Sequence, residues 1–150
     1  MTDILKKDIK VCFSPALFPF YEIQNRIVVV VDILRATTAI CNAFENGVDK
    51  IIPVAKVLDA YQYKNQGALI AGERDGKIIE DADFGNSPFN FTKDKVAGKT
   101  IALTTTNGTQ AIEMSKEASD VIIGSFLNIN AVTDFIVKSN KDVLILCAGW

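Results

Sequence analysis

Four groups of residues in this chain hold the side chains from which chemistry could be built. Asp32, Arg35, Thr37 and Thr38 close the stretch VVVVDILRATT, and Glu73 and Arg74 lie in AGERDGK. Thr105, Thr106, Asn107, Gly108 and Thr109 end LTTTNGT, and Ser125 and Asn128 belong to IGSFLN. Each group comes at the end of a short apolar run. Two arginines, two carboxylates and many hydroxyls suit a small, multiply anionic ligand, because a guanidinium grips phosphate or sulfonate through paired hydrogen bonds. The carboxylates would repel such a ligand unless a cation lay between. Mg²⁺ fits that role, since it takes carboxylate, water and phosphate oxygens together. The chain has no histidine, which removes the commonest general base and a common transition-metal ligand. A fifth group, Asn86 and Ser87 in GNSP, is equally compatible with an Asx or proline turn. The other groups also have plainer readings: Asp32 as a helix cap, the arginines as solvated ion-pair partners, TTTNGT as an N-G turn.

The elements that would position these groups read clearly. Short β-branched runs occupy 9–13, 27–33, 50–54, 68–72, 100–106, 121–125 and 143–149. Most are apolar on consecutive residues, the pattern of parallel strands covered on both faces. Helical spacing is found over 36–46, 57–66, 109–118 and 130–139, with Gly47 and Gly67 as stops for the first two. The inner faces are expected to be Ala36, Ala39, Ile40, Ala43 and Phe44 in the first helix, and Ala131, Val132, Phe135 and Ile136 in the last. Alternation of this kind predicts a single α/β domain over 1–150, three-layer α/β/α, with a doubly wound, mostly parallel sheet. Ligands bind at the carboxyl ends of such strands, so the four groups would converge on one crevice. Unpaired amides at Thr37–Thr38 and Gly108–Thr109 would add two helix N-termini that favour anions. The segments RATTAICNAFENGVDKIIPV and NGTQAIEMSKEASDVIIGS resemble each other, with Thr37, Ala39 and Ile40 matching Thr109, Ala111 and Ile112. Both would place a helix N-terminus at the carboxyl edge of the same sheet. Residues 73–98 show no sustained period, and so long an irregular stretch reads as a site loop.

Composition narrows the classes further. Of 150 residues, 49% are hydrophobic and 23% charged, which is ordinary for one globular domain. The net charge of −2 gives no basic excess for nucleic acid. No apolar run approaches the roughly 18 residues of a membrane helix, and MTDILKKDIK lacks the apolar stretch of a secretory leader. Cys12, Cys41 and Cys147 are an odd number within apolar segments, so free buried thiols in a reducing cytoplasm are expected. No G-x-G-x-x-G or G-x-x-x-x-G-K-[ST] points to a nucleotide.

VVVVDILRATT, AGERDGK, FGNSP, LTTTNGT and IGSFLN, in this order, resemble the 2-phosphosulfolactate phosphatases of coenzyme M biosynthesis and their bacterial relatives, over residues 28–149. The resemblance implies a cytoplasmic, Mg²⁺-dependent α/β/α hydrolase that splits 2-phospho-3-sulfolactate into 3-sulfolactate and phosphate. It also implies that this chain lacks the C-terminal third of the family, which leaves a sheet face exposed and favours association with further copies. Carried onto this sequence, Asp32 with Glu73 or Asp83 would hold the metal, and Arg35 and Arg74 would clamp the anionic groups. Thr37, Thr38, Asn86, Ser87, Thr105, Thr106, Asn107, Gly108, Thr109, Ser125 and Asn128 would complete the substrate pocket. The nucleophile is open between a water and Asp32. The D-x-D pattern of haloacid-dehalogenase phosphatases is absent, since position 34 is leucine. A non-catalytic anion-binding or assembly module is the rival reading.

Overall fold

The computed structural model describes residues 7–149; Trp150 and residues 1–6 of the stretch read for a leader lie outside it. Strands β1 (Ile9–Cys12), β2 (Arg26–Val31), β3 (Lys50–Pro53), β4 (Leu69–Arg74), β5 (Lys77–Ile78), β6 (Thr100–Thr104), β7 (Asp120–Gly124) and β8 (Asp142–Cys147) are joined by helices. These are α1 (Ala36–Glu45), α2 (Val57–Lys64), α3 (Lys93–Val96), α4 (Gly108–Met114) and α5 (Ile129–Lys138). The fold is α/β with mostly parallel strands. Its strands form two four-stranded sheets, ordered β1-β8-β2-β7 and β3-β6-β4-β5, in which only β5 runs antiparallel to its neighbour.

Burial on both faces explains the unbroken apolar runs. Val28 and Val30 pack with Leu144, Leu146 and Ala111 on the inner face of the first sheet. Ile27 and Val29 pack with Val143, Val132 and Ile136 on its outer face, under α5. In the second sheet, Ile101, Leu103 and Ala71 face Ala39, Ile40 and Ala43 of α1, while Ile70 and Ala102 face Ala60 of α2. Fully burying each of these aliphatic side chains contributes roughly 1.5–3 kcal/mol. A net hydrogen bond contributes about 1 kcal/mol, so packing outweighs any single bond at the polar strand tips. Each sheet is therefore sandwiched by helices, and α1 and α4 form a shared layer between the two. Ile112 of α4 touches both inner clusters.

The two look-alike segments take equivalent paths in opposite senses. β2–α1–β3 leaves the first sheet for the second, and β6–α4–β7 returns. This corrects the expectation of one shared sheet edge: the two helix N-termini start from different sheets and meet because both carboxyl edges open on the same crevice. The third expected helix, 109–118, is also shorter, as α4 ends at Met114. Val132 and Ile136 face the core as expected, whereas Phe44 and Phe135 stay largely exposed.

The irregular stretch 73–98 is ordered by three devices. Asp75 and Gly76, both at positive φ, make the two-residue hairpin turn between β4 and β5. Residues 83–84 run parallel beside the start of β4, with Asp83 N–H donating to Ile70 O (2.8 Å) and Ala71 bridging Phe84. Phe84 then packs edge-to-face on the fully buried Phe91 (5.0 Å), and Asn42 Nδ2 of α1 donates to Pro88 O (2.8 Å).

Candidate active site

The carboxyl tips of β2, β4 and β6, with Asn86 and Gly149, enclose a hollow of about 450 Å³. Asp32, Arg35, Glu73, Asp75, Asn86, Thr106 and Asn107 line it. Asp32, Arg35, Glu73 and Asn107 thus line one crevice, as their strand-end positions led one to expect.

Asp32 lies where both look-alike helices begin. The backbone N–H groups of Ala36 and Arg35 from one turn, and of Gly108 from the other, face its carboxylate. The protein's own carboxylate thus takes the position at two helix N-termini that the sequence reserved for a ligand anion. Burial nevertheless pushes the Asp32 carboxyl above its ordinary range; Glu73 nearby adds to the push, and the three amides oppose it. Gly108 makes the approach possible. A Cβ there would sit 2.4 Å from Ala36 Cβ and 2.7 Å from Asp32 Oδ2, closer than real Cβ contacts.

Glu73 is held differently. The Thr106 amide donates to its Oε1 (2.7 Å), and the Gly76 amide (2.9 Å) and Thr106 hydroxyl (3.0 Å) donate to its Oε2. Burial opposes ionisation here too, but these donors and the Arg74 charge outweigh it and hold the carboxyl below its ordinary range. Glu73 therefore ties the β4–β5 hairpin to the TTTNGT turn at the wall of the hollow.

The threonines mostly serve the backbone. Thr37 and Thr109 are buried. The Thr37 hydroxyl accepts from Asp32 N–H (3.0 Å), and Thr37 N–H donates to Asp32 O (3.0 Å). The Thr109 hydroxyl accepts from Thr105 N–H (2.9 Å) and donates to Thr105 O (2.9 Å). Thr109 N–H is spent on Thr105 Oγ1 (3.0 Å), and the Thr38 hydroxyl donates to Ile33 O (2.8 Å). The amides expected to be free at Thr37, Gly108 and Thr109 are thus already engaged.

Several predicted residues stand apart from the hollow. Arg74 turns its guanidinium to Glu73 O (2.7 Å), Ala55 O (2.8 Å) and Thr104 Oγ1 (2.6 Å). Asp83 Oδ2 accepts from Ile70 N–H (2.7 Å), three residues before Glu73 and so about 10 Å back along extended chain. Ser125 and Asn128 form a capping box at the tip of β7, with Ser125 N–H donating to Asn128 Oδ1 (2.8 Å). Ser87 precedes the turn Pro88–Asn90 and does not line the hollow.

Asp75 and the Gly149 backbone are wall components that the sequence reading did not pick out. Asp75 had a signal, being the D of a D-G turn beside Glu73; Gly149 simply extends the run after β8. A larger groove, about 640 Å³, runs between α1, β7 and α5, but it is apolar, lined by Ile40, Phe44, Ile122, Val132 and Phe135, with Glu45 its one charge among the lining residues.

Comparison with known proteins bears on the same region. Residues 12–150 match the family model described as 2-phosphosulpholactate phosphatase. Relatives from Thermotoga petrophila and Thermotoga maritima, each named "Probable 2-phosphosulfolactate phosphatase", are 44% identical over 131 residues, covering 87% of this chain and 57% of their own length. One of the same name from Clostridium acetobutylicum is 47% identical over 131 residues, 85% of this chain and 56% of its own length. The chain spans little more than half of these relatives.

Proposed function

The chain belongs to the 2-phosphosulpholactate phosphatase family, and from that membership we propose that its hollow binds and hydrolyses a small, multiply anionic phosphate monoester of the 2-phosphosulfolactate kind. The observation that carries the reading is the meeting of Asp32, Arg35, Glu73, Asn86 and Asn107 around one opening. The hollow's one guanidinium, Arg35, takes the phosphate by paired charge-assisted hydrogen bonds. Asn107 and Thr106 add polar contacts at the rim. Phosphoryl transfer depends on such positioning and on neutralising charge, with little covalent work left for the protein.

Mg²⁺ belongs to this proposal. Among the described residues no group of three or more His, Cys, Asp or Glu side chains is placed to hold a metal ion. Mg²⁺ needs none, because it takes one or two carboxylates and fills its remaining positions with water and substrate oxygens. The hollow fits that demand, with three carboxylates against one guanidinium on its wall. Asp32 and the free lone pairs of Glu73 would hold the ion. When bound, it would neutralise phosphate charge that Asp32 and Glu73 would otherwise repel. Asp32 itself is kept rigid by Thr37 and the facing amides, so it would present one fixed oxygen to the hollow. The described helices include none long and apolar enough to cross a membrane; a cytoplasmic setting and association with further copies complete the proposal.

The test is phosphate release from 2-phosphosulfolactate and simpler phosphoesters, with Mg²⁺ and with chelator, for this chain and for one extended to the relatives' length. Release by neither would overturn the reading, and equal rates with chelator would remove the metal from it. Arg35→Ala should weaken inorganic phosphate binding by about 1.5–3 kcal/mol, the value of a hydrogen bond to a charged group.

A further inference from the structure

Asn86 is the hollow's least explained side chain. It is only 5% exposed, and its Oδ1 is buried with no hydrogen-bond partner among the described residues. Burying an amide oxygen without a partner is unfavourable, so its persistence needs a cause. Chain direction explains why it is there. Asp83 lies beside Ile70 and Phe84 beside Ala71, with Gly72 N–H donating to Phe84 O (3.1 Å). Two residues beyond this bridge, Asn86 joins Glu73 in the hollow's wall.

The company that Asn86 keeps is rich in acceptors. Asp32, Glu73 and Asp75 share the wall with it, and the only cationic side chain in the lining is Arg35. A water or donor group needs roughly 2.9 Å from an oxygen, and Oδ1 has no surface open to water. A small divalent cation comes closer, at about 2.0–2.1 Å for Mg²⁺, and amide oxygens are among the ligands of hard cations. We propose that Asn86, through Oδ1, is a neutral ligand of the divalent cation in this hollow, together with Asp32, in the role that the family resemblance implied for Asp83. The inference rests on the metal-dependent reading above. It assigns the ion a mixed set of carboxylate and amide oxygens and leaves Asp83 to fasten β4.

Direct Mn²⁺ titration of the whole chain, followed by loss of the free-ion EPR signal in the absence of any substrate, tests this. Asn86→Ala should weaken Mn²⁺ binding at least about tenfold, the lower end of what lost support around a metal costs. Asn86→Asp, of nearly the same shape, should bind as tightly as wild type or tighter, and Asp83→Asn should bind like wild type. Circular dichroism and the rise in Tm on adding Mg²⁺ keep folding separate from binding: a folded Asn86→Ala protein whose Tm no longer rises supports the proposal. Wild-type affinity in Asn86→Ala, or equal loss in Asn86→Ala and Asn86→Asp, would overturn it while leaving the cation in place. Loss in Asp83→Asn with its fold intact would return the role to Asp83. No Mn²⁺ binding by wild type would remove both the cation and this ligand, while phosphate release under chelator would show whether hydrolysis survives without them.

Discussion

The turns from β2 into α1 and from β6 into α4 share one fastening and divide the site between them. In each, a threonine hydroxyl inside the first helical turn accepts the N–H of the residue that ends the strand: Asp32 to Thr37, Thr105 to Thr109. Beyond that they differ. The first turn carries both charges, Asp32 and Arg35. The second carries none, and offers instead a missing side chain at Gly108 and a backbone N–H facing Asp32. One copy supplies charge and the other supplies the room and the donor that let the charge sit between two helices. Two look-alike turns can thus hold an unsymmetrical site.

The strongest way to break this division is to give the second turn a side chain. Gly108→Ala forces a methyl into Ala36 and Asp32, and overpacking this tight should cost about 3 kcal/mol, the upper end of its usual range, read as a fall in the urea midpoint. Adding Ala36→Gly should recover part of it, because the tighter of the two contacts is with Ala36 Cβ. Next come the fastenings. Thr109→Val removes a hydroxyl that both accepts and donates in a buried setting and should cost about 2 kcal/mol, against about 1 kcal/mol for Thr37→Val, which loses one acceptor. Equal losses would mean that the two turns are not fastened alike.

The finest distinction is in the titration of the two carboxylates. Asp32 is raised, so the stability linked to its protonated form is present below its ordinary value of 3.8 and is lost as pH rises through its folded value. Glu73 is lowered, so its contribution is present above 4.5 and is lost as pH falls through its folded value. In metal-free buffer, Asp32→Asn should therefore gain stability relative to wild type between pH 4 and pH 7, while Glu73→Gln should fall behind over the same interval. Urea melts at the two pH values read both, and a shared sign would contradict the assignment.

Much of the frame was legible because parallel strands covered on both faces leave unbroken apolar runs, as at Ile27–Val31. The division into two sheets was not, since hydropathy records that a strand is buried and not which strand it pairs with. Asp32, Arg35, Glu73 and Asn107 were found by position alone, at the ends of runs. Arg74 misled because standing next to Glu73 in sequence says nothing of direction, and Asp83 entered only through the family resemblance. Arg74 points toward Thr104 and Ala55, and Asp83 lies beside the start of β4. The threonines were recognised as a group, but their partners are backbone groups rather than a ligand, a competition between local and external acceptors that composition does not decide.

The opposite crossings of the two look-alike units also set how the chain can assemble. The strands of the second sheet are consecutive in the chain, from β3 to β6, whereas β2 must pair with β7 and β8 only after that whole middle region has intervened. Closing so large a loop carries an entropic toll before any pairing can reward it. Contact order therefore predicts that the first sheet, and with it the Asp32 side of the crevice, forms late, when β7 and β8 join β2.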